Sequence, residues 1–305
     1  MSHSLKHGSR FFVFPEYISY RAFYGNHQAF VTLKNRSKSN PAYLWGLSEF
    51  YALKHEKSNY YSLKHSKPGL DISDPLFDKA MGRYQYGGFY GQFHEMSNGV
   101  VSGSGKKIQK LDMKILTLLQ QAVKKGDPAA ENSLASEYWG EVVRPIALLS
   151  GMSSKLGQKN TIINMTLPAN QRMYAIARKF CKDGFNLALK SKAAGWPDAY
   201  TNLSMHAIYP KNSADTPSGL ISTSNFLAAS GCAGHVVPPY HNGTELFMKA
   251  AALGSVEAIS AIMADAYKDK NKKKFLMWKL KLSHLAEHGN EKAKHELLNY
   301  TKLSR

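Results

Sequence analysis

The sequence predicts an all-α fold built from repeated helix pairs, preceded by a less regular region rich in aromatic residues. Three observations lead there. Four segments between residues 108 and 305 align on a single glycine. The residues around each glycine follow a helix, stop, helix pattern. With 305 residues and 43% hydrophobic content, the chain can bury a sizeable core, yet no run approaches the ~20 apolar residues of a membrane span.

The aligned segments are QQAVKKGDPAAENSLASEY, KSKAAGWPDAYTNLSMHAI, MKAAALGSVEAISAIMADAY and LSHLAEHGNEKAKHELLNY, anchored on Gly126, Gly195, Gly254 and Gly289. Four residues after each glycine stands Ala130, Ala199, Ala258 or Ala293, and four further on Leu134, Leu203, Ile262 or Leu297. The glycine can end a helix in the left-handed conformation without a Cβ penalty, and a second helix follows a tight turn. Asp127-Pro128 and Trp196-Pro197 fit that turn, because proline in the first helical turn gives up only an N–H that would be unpaired. The alanine permits close approach of a neighbouring helix, and the aliphatic residue one turn on fills the seam. One such pair cannot bury its apolar face alone, so the pairs must stack.

The pattern A-A-x-x-G-x-x-x-A-x-x-x-L resembles the Sel1-like repeat, a relative of the tetratricopeptide repeat with units of about 36 residues. The resemblance covers roughly residues 108–305 and is tightest over 246–267. Gly254 and Gly289 stand 35 apart, one unit. The two longer spacings need insertions, expected as loops at about 140–170 and 209–242, where Gly, Pro, Ser and Asn accumulate. The resemblance implies a right-handed superhelical solenoid whose concave groove binds protein, and a role as adaptor scaffold or as immunity protein against a secreted toxin. It implies no catalysis and no cofactor.

Residues 1–105 are expected to form an N-terminal cap distinct from the repeats at 106–305. They hold ten of the 17 tyrosines and nine of the 14 phenylalanines. NPAYLWGLSEFYALKH, from Asn40, reads as a helix with an Ala-x-x-x-Gly face, DPLFDKAM at 74–81 as a short one, and the stretch from Tyr84 to Gly105 as a glycine-aromatic connection.

The net charge of +18, spread along the chain, attracts nucleic acid, anionic membrane or an acidic protein without choosing among them. Cys181 and Cys232 are too few for a disulfide framework. Two buried thiols are the simpler reading, and a single bridge would require an oxidising compartment. The opening MSHSLKHGSRFFVF has a four-residue apolar block and no secretion signal, which favours the cytoplasm; a periplasmic location would require a removed leader.

Three motifs invite chemistry. His284-x-x-Glu287-His288 has the inverted zincin spacing, but its register is that of an ordinary repeat, where the same positions carry Gln121, Lys190, Lys249 and Lys125, Ala194, Leu253; no zinc is expected. GVVSGSGKK, residues 99–107, is one residue too long for a phosphate-binding loop and lacks its Ser or Thr. KDKNKKK, residues 268–274, reads as a solvated loop between repeats, or as a contact patch for an acidic surface. Trp139, Trp196 and Trp278 read as packing residues. The expected function is protein binding, with an acidic partner. Candidate groove residues are Glu131, Asn132, Tyr200, Thr201, Ser260, Lys294 and His295, one or two positions beyond the seam alanines, with Lys272, Lys273 and Lys274 as the basic patch. A basic nucleic-acid binder, or an enzyme with an unfamiliar site in residues 1–105, are the weaker readings.

Overall fold

The computed structural model describes residues 15, 17–65, 106–139, 162–166, 168–206, 220–233, 235 and 237–303. These residues are mostly helical, as the sequence predicts. In chain order they form α1 (17–23), α2 (His27–Arg36), α3 (Pro41–His65), α4 (Lys106–Lys124), α5 (128–139), β1 (Ile162–Asn164), α6 (Pro168–Ala193), α7 (Pro197–His206), β2 (Leu220–Ser222), α8 (Thr223–Ala229), α9 (Gly243–Leu253), α10 (Val256–Lys268), α11 (Lys272–Glu287) and α12 (Glu291–Leu303). DPLFDKAM, the connection from Tyr84 to Gly105 and nearly all of GVVSGSGKK lie outside the described residues. No single helix among those described is long and apolar enough to cross a membrane.

The glycine corners follow one hydrogen-bond plan. At Gly254, φ is +101°, its N–H donates to the Ala251 carbonyl at 3.2 Å, and the next N–H, of Ser255, donates to the Ala250 carbonyl at 3.0 Å. This pair of bonds satisfies the carbonyls that a helix end leaves open, and requires a residue at positive φ. Gly126, Gly195 and Gly289 repeat it. The residue after the glycine then caps the next helix. Asp127, Ser255 and Asn290 accept from the N–H groups of Ala130, Ala258 and Ala293 at 2.8, 3.3 and 2.9 Å. The seam alanine therefore has two duties: its N–H satisfies the cap, and its methyl is fully buried against the neighbouring helix. Trp196 has no such acceptor, and its backbone carbonyl takes the Ala199 N–H instead, at 3.3 Å.

A fifth corner lies where the sequence reads as irregular. Gly25, with φ +98°, separates α1 from α2, the side chain of Asn26 caps α2 through the Ala29 N–H at 3.0 Å, and Leu33 is fully buried. The register Gly25, Ala29, Leu33 is that of the other four corners. A sixth corner uses no glycine. Between α10 and α11 the left-handed residue is Lys270, at φ +55°, and Asn271 caps α11 through the Lys274 N–H at 3.0 Å. KDKNKKK is thus only in part a loop, since Lys272, Lys273 and Lys274 form the first turn of α11.

Successive elements pack on one another: α3 on α4, α6 on α7, α7 on α9, α9 on α10, α10 on α11, and α11 on α12. Residues on either side of the expected 105/106 boundary share one core, in which Leu44 and Trp45 lie with Leu116, Leu119, Ala122 and Leu134. The Trp45 ring meets Trp196 edge-on at 5.6 Å, and its Nε1 donates to the Ser133 hydroxyl at 3.1 Å. Gly46 serves close packing, since a Cβ there would lie 3.0 Å from Pro15, while Ala42 is only half-buried.

The two insertions differ from plain loops. Ile162–Asn164 and Leu220–Ser222 pair antiparallel, so the insertions are fastened to each other, and α8 follows at once. Isoleucines suit such a strand, but three residues in a Ser- and Asn-rich context leave little pattern to read. Cys232, just beyond α8, is disulfide-bonded to Cys181 of α6, 51 residues earlier; the two are bridged rather than separate thiols.

Three measurements follow from this packing. Ala258→Leu should overpack the seam and cost ~1–3 kcal/mol, read as a lowered thermal midpoint. Gly184→Ala should also destabilise, because its Cβ would sit 2.8 Å from Trp139 Nε1. Reduction of Cys181–Cys232 should lower unfolding stability by about 2–5 kcal/mol in denaturant titrations.

Candidate functional site

One concavity with mixed chemistry among the described residues lies where α4, α5 and α6 meet. It is an open groove of ≈ 500 Å³ lined by Gln120, Val123, Lys124, Leu134, Tyr138, Asp183, Asn186, Leu187 and Lys190. Helical spacing builds it. Gln120 and Lys124 are one turn apart on α4, Leu134 and Tyr138 one turn apart on α5, and Asp183, Asn186 and Lys190 follow at i, i+3 and i+7 on α6. Leu134 is buried in the seam and supplies the apolar floor, while Lys124, Asn186 and Lys190 are exposed at the rim.

Electrostatics separates floor from rim. Burial pushes the Tyr138 hydroxyl above the usual phenol range, against a hydrogen bond with Gln120 that favours ionisation. Burial likewise raises the Glu131 carboxyl, against the nearby Lys190 ammonium that lowers it. A second concavity of ≈ 470 Å³ opens at the Gly126 corner, lined by Ser39, Asn40, Pro41, Ala42, Gly126, Asp127 and Pro128. The Asp127 carboxyl, buried there, is raised by desolvation, with the N–H groups of Ala130 and Ala129 working in the opposite direction.

Most residues that the sequence nominates for the groove lie instead between consecutive helix pairs. Glu131, Asn132 and Tyr200 are buried. Asn132 accepts from Asn202 Nδ2 at 2.7 Å, which links α5 to α7. Thr201 Oγ1 and Ser255 Oγ are 3.1 Å apart, linking α7 to the corner before α10. Tyr200 meets the Tyr240 ring edge-on at 5.9 Å. The Ser260 carbonyl accepts from the Tyr300 hydroxyl at 2.6 Å, linking α10 to α12, while the Ser260 hydroxyl itself is buried without a hydrogen-bond partner among the described residues. Positions just beyond the seam alanine thus face the next pair and join it through polar contacts. Lys272, Lys273 and Lys294 are exposed and Lys274 half-buried. His295 lies on α12, with its side chain outside the described ones. Lys124, Lys190, Tyr138, Asp183 and Asn186, which line the groove, are not among the residues nominated from the sequence. All but Tyr138 lie on the first helix of their pair, where the signal is a solvent-face register.

The zincin-like spacing resolves into a helix end. His284 and His288 have ring centroids 4.1 Å apart, and His288, the C-terminal residue of the helix turn, has Nδ1 2.7 Å from the His284 carbonyl. Among the described residues no group of three His, Cys, Asp or Glu side chains converges as a metal site would. Trp139, Trp196 and Trp278 are all buried in packing positions. No family model matches this chain, and no curated protein or solved structure matches it either.

Asp127 gives a pH test of the Gly126 corner. Its native carboxyl holds a proton more tightly than the unfolded one, so its contribution to stability is full below the ordinary value of 3.8 and is lost as pH rises through the raised native value. Asp127→Asn keeps the cap acceptor without the buried charge. It should match or exceed the parent in stability at neutral pH and flatten the pH profile, whereas Asp127→Ala should cost ~0.5–2 kcal/mol. Thermal melts from pH 3 to 8 distinguish the three proteins; parallel profiles for parent and Asn variant would contradict the assignment.

Proposed function

We propose that this protein is a non-catalytic protein-binding scaffold, a Sel1-like array whose helix pairs stack into a right-handed superhelical solenoid and whose partner is an acidic protein. An adaptor, or an immunity protein that neutralises a toxin, is the role this reading favours. The observation that carries it is the groove between α4 and α6. Its rim offers two ammonium groups, Lys124 and Lys190, beside amide and carboxylate groups of Gln120, Asn186 and Asp183, over a floor of Leu134 and Tyr138. That is a surface for hydrogen-bonded and charged recognition, with an apolar centre from which water can be expelled.

The recurring corners and the polar links between pairs support a stack rather than a bundle, because each pair is tied to the next in chain order. The charge of +18 supports an acidic partner, since an uncompensated field of that size opposes compactness. The disulfide supports an oxidising compartment over the cytosol.

Cross-linked capture followed by mass spectrometry identifies the partner, and surface kinetics against it tests the reading. Lys124→Glu with Lys190→Glu should slow association by about tenfold at low salt and leave the melting curve near that of the parent, with added salt slowing the parent in the same way. An on-rate insensitive to salt and to this pair of exchanges would contradict an acidic partner at the groove. Tighter binding to duplex or single-stranded nucleic acid than to any captured protein would favour the basic nucleic-acid reading instead.

A further inference from the structure

Helix α11 differs from the first helices of the other pairs on its outward face. Nine residues before Gly126, Gly195, Gly254 and Gly289 stand Thr117, Asn186, Glu245 and Leu280, and twelve before stand Lys114, Asp183, Asn242 and Met277. The first three of each set are polar, and all but the half-buried Asp183 are exposed. In the last pair the same positions are apolar and remain exposed: Leu280 at 73%, Met277 at 57%, and beside them Leu276 at 50%.

Neither a further helix pair nor a second copy of the chain fits this face. A stacking surface awaiting another pair would have buried counterparts in the earlier pairs. Thr117, Asn186 and Glu245 are exposed although a pair follows each of them. A second copy would bring two proteins of charge +18 together through a face bordered by lysines.

The arrangement of charge about the stripe names the occupant. At 3.6 residues per turn, Leu276, Leu280 and Met277 fall within a stripe about 100° wide, with Lys273 and His284 on the same line. Lys272 and Lys279 border one side of it and Lys274 the other, where Lys281 instead turns its ammonium to the Ala252 carbonyl at 2.8 Å. The opposite face of the helix, with Trp278, Leu282 and Ala286, is buried in the protein core. The apolar side chains project outward instead of lining a cleft, so they need a soft apolar medium more than a shaped partner. Lysines on both borders can keep their ammonium groups among headgroups while their stems lie along the apolar boundary.

We propose that the outward face of α11 docks on an anionic lipid bilayer, inserting Leu276, Met277 and Leu280 to the headgroup–acyl boundary with lysine–phosphate contacts on either side. The docking lies on a face separate from the α4–α6 groove and does not depend on what that groove binds. It confers membrane adhesion through one helix face.

Flotation of the full chain with vesicles tests it, using phosphatidylcholine alone and equal parts phosphatidylcholine and phosphatidylglycerol. The parent should float with the mixed vesicles and not with the neutral ones. Leu276→Ser, Met277→Ser and Leu280→Ser together should lower partitioning by about tenfold or more with the melt unchanged, because these side chains contribute surface and not core. In Met277→Trp, the emission should shift to the blue with mixed vesicles only. The proposal is overturned if the parent stays with neither vesicle. It is equally overturned if the triple variant floats as well as the parent, which would mean charge adhesion alone. A triple exchange that spares flotation but weakens binding of an acidic amphipathic peptide would assign the stripe to a protein partner instead.

Discussion

The constraint on which the rest of the structure depends is the corner between paired helices. A residue in the left-handed conformation lets two successive N–H groups fold back on the last turn, and the following side chain captures the N–H of the fourth residue on. Between them these bonds close one helix, start the next and fix the angle at which they meet. The alanine at that fourth position then has no freedom. Its backbone is held by the cap and its side chain must fit the inter-helix contact, as the full burial of Ala130, Ala258 and Ala293 shows. Asn26, Asp127, Ser255 and Asn290 differ in charge and size but share the one property the corner needs, a short acceptor.

From the corners the polar links between pairs follow. Residues just beyond the alanine project along the stack, so Asn132 reaches Asn202, and Thr201 reaches Ser255, the cap of the next corner. Buried polar groups of this kind are tolerated because they are paired, and pairing makes them specific for one register. The first helices, meanwhile, keep outward faces that the next pair does not cover. The α4–α6 groove and the α11 stripe differ in kind, one with polar side chains over a small apolar floor and one with apolar side chains between lysines.

The helix pairs from Gly126 onward were legible because the glycine, the alanine and the aliphatic residue keep a fixed spacing. The Gly25 corner obeys the same spacing, but GNHQAFVTL stands in a region dominated by tyrosine and phenylalanine, and composition hid the register. The Lys270 corner was legible only as a loop between repeats, since lysine rarely takes positive φ and nothing in KDKNKKK marks the third residue as the left-handed one. The strand pairing and the disulfide join residues tens of positions apart, and no local pattern reports such contacts. The burial of Glu131, Asn132 and Tyr200 was not legible for a directional reason. Residues after the alanine are near the pair's surface in sequence terms, but they point toward the following helices, and only the three-dimensional packing shows which side is left open to solvent.

Amide hydrogen exchange reads directly whether the caps hold the corners. N–H groups in the first turn of a helix have no partner within it and ordinarily exchange quickly. Here those of Ala29, Ala130, Ala258 and Ala293 should exchange as slowly as amides in the middle of α6 and α10, because each is bonded to a cap side chain beneath a packed helix. Exchange of these four amides at the rate of an unprotected peptide, in a chain whose helix interiors are protected, would contradict the account.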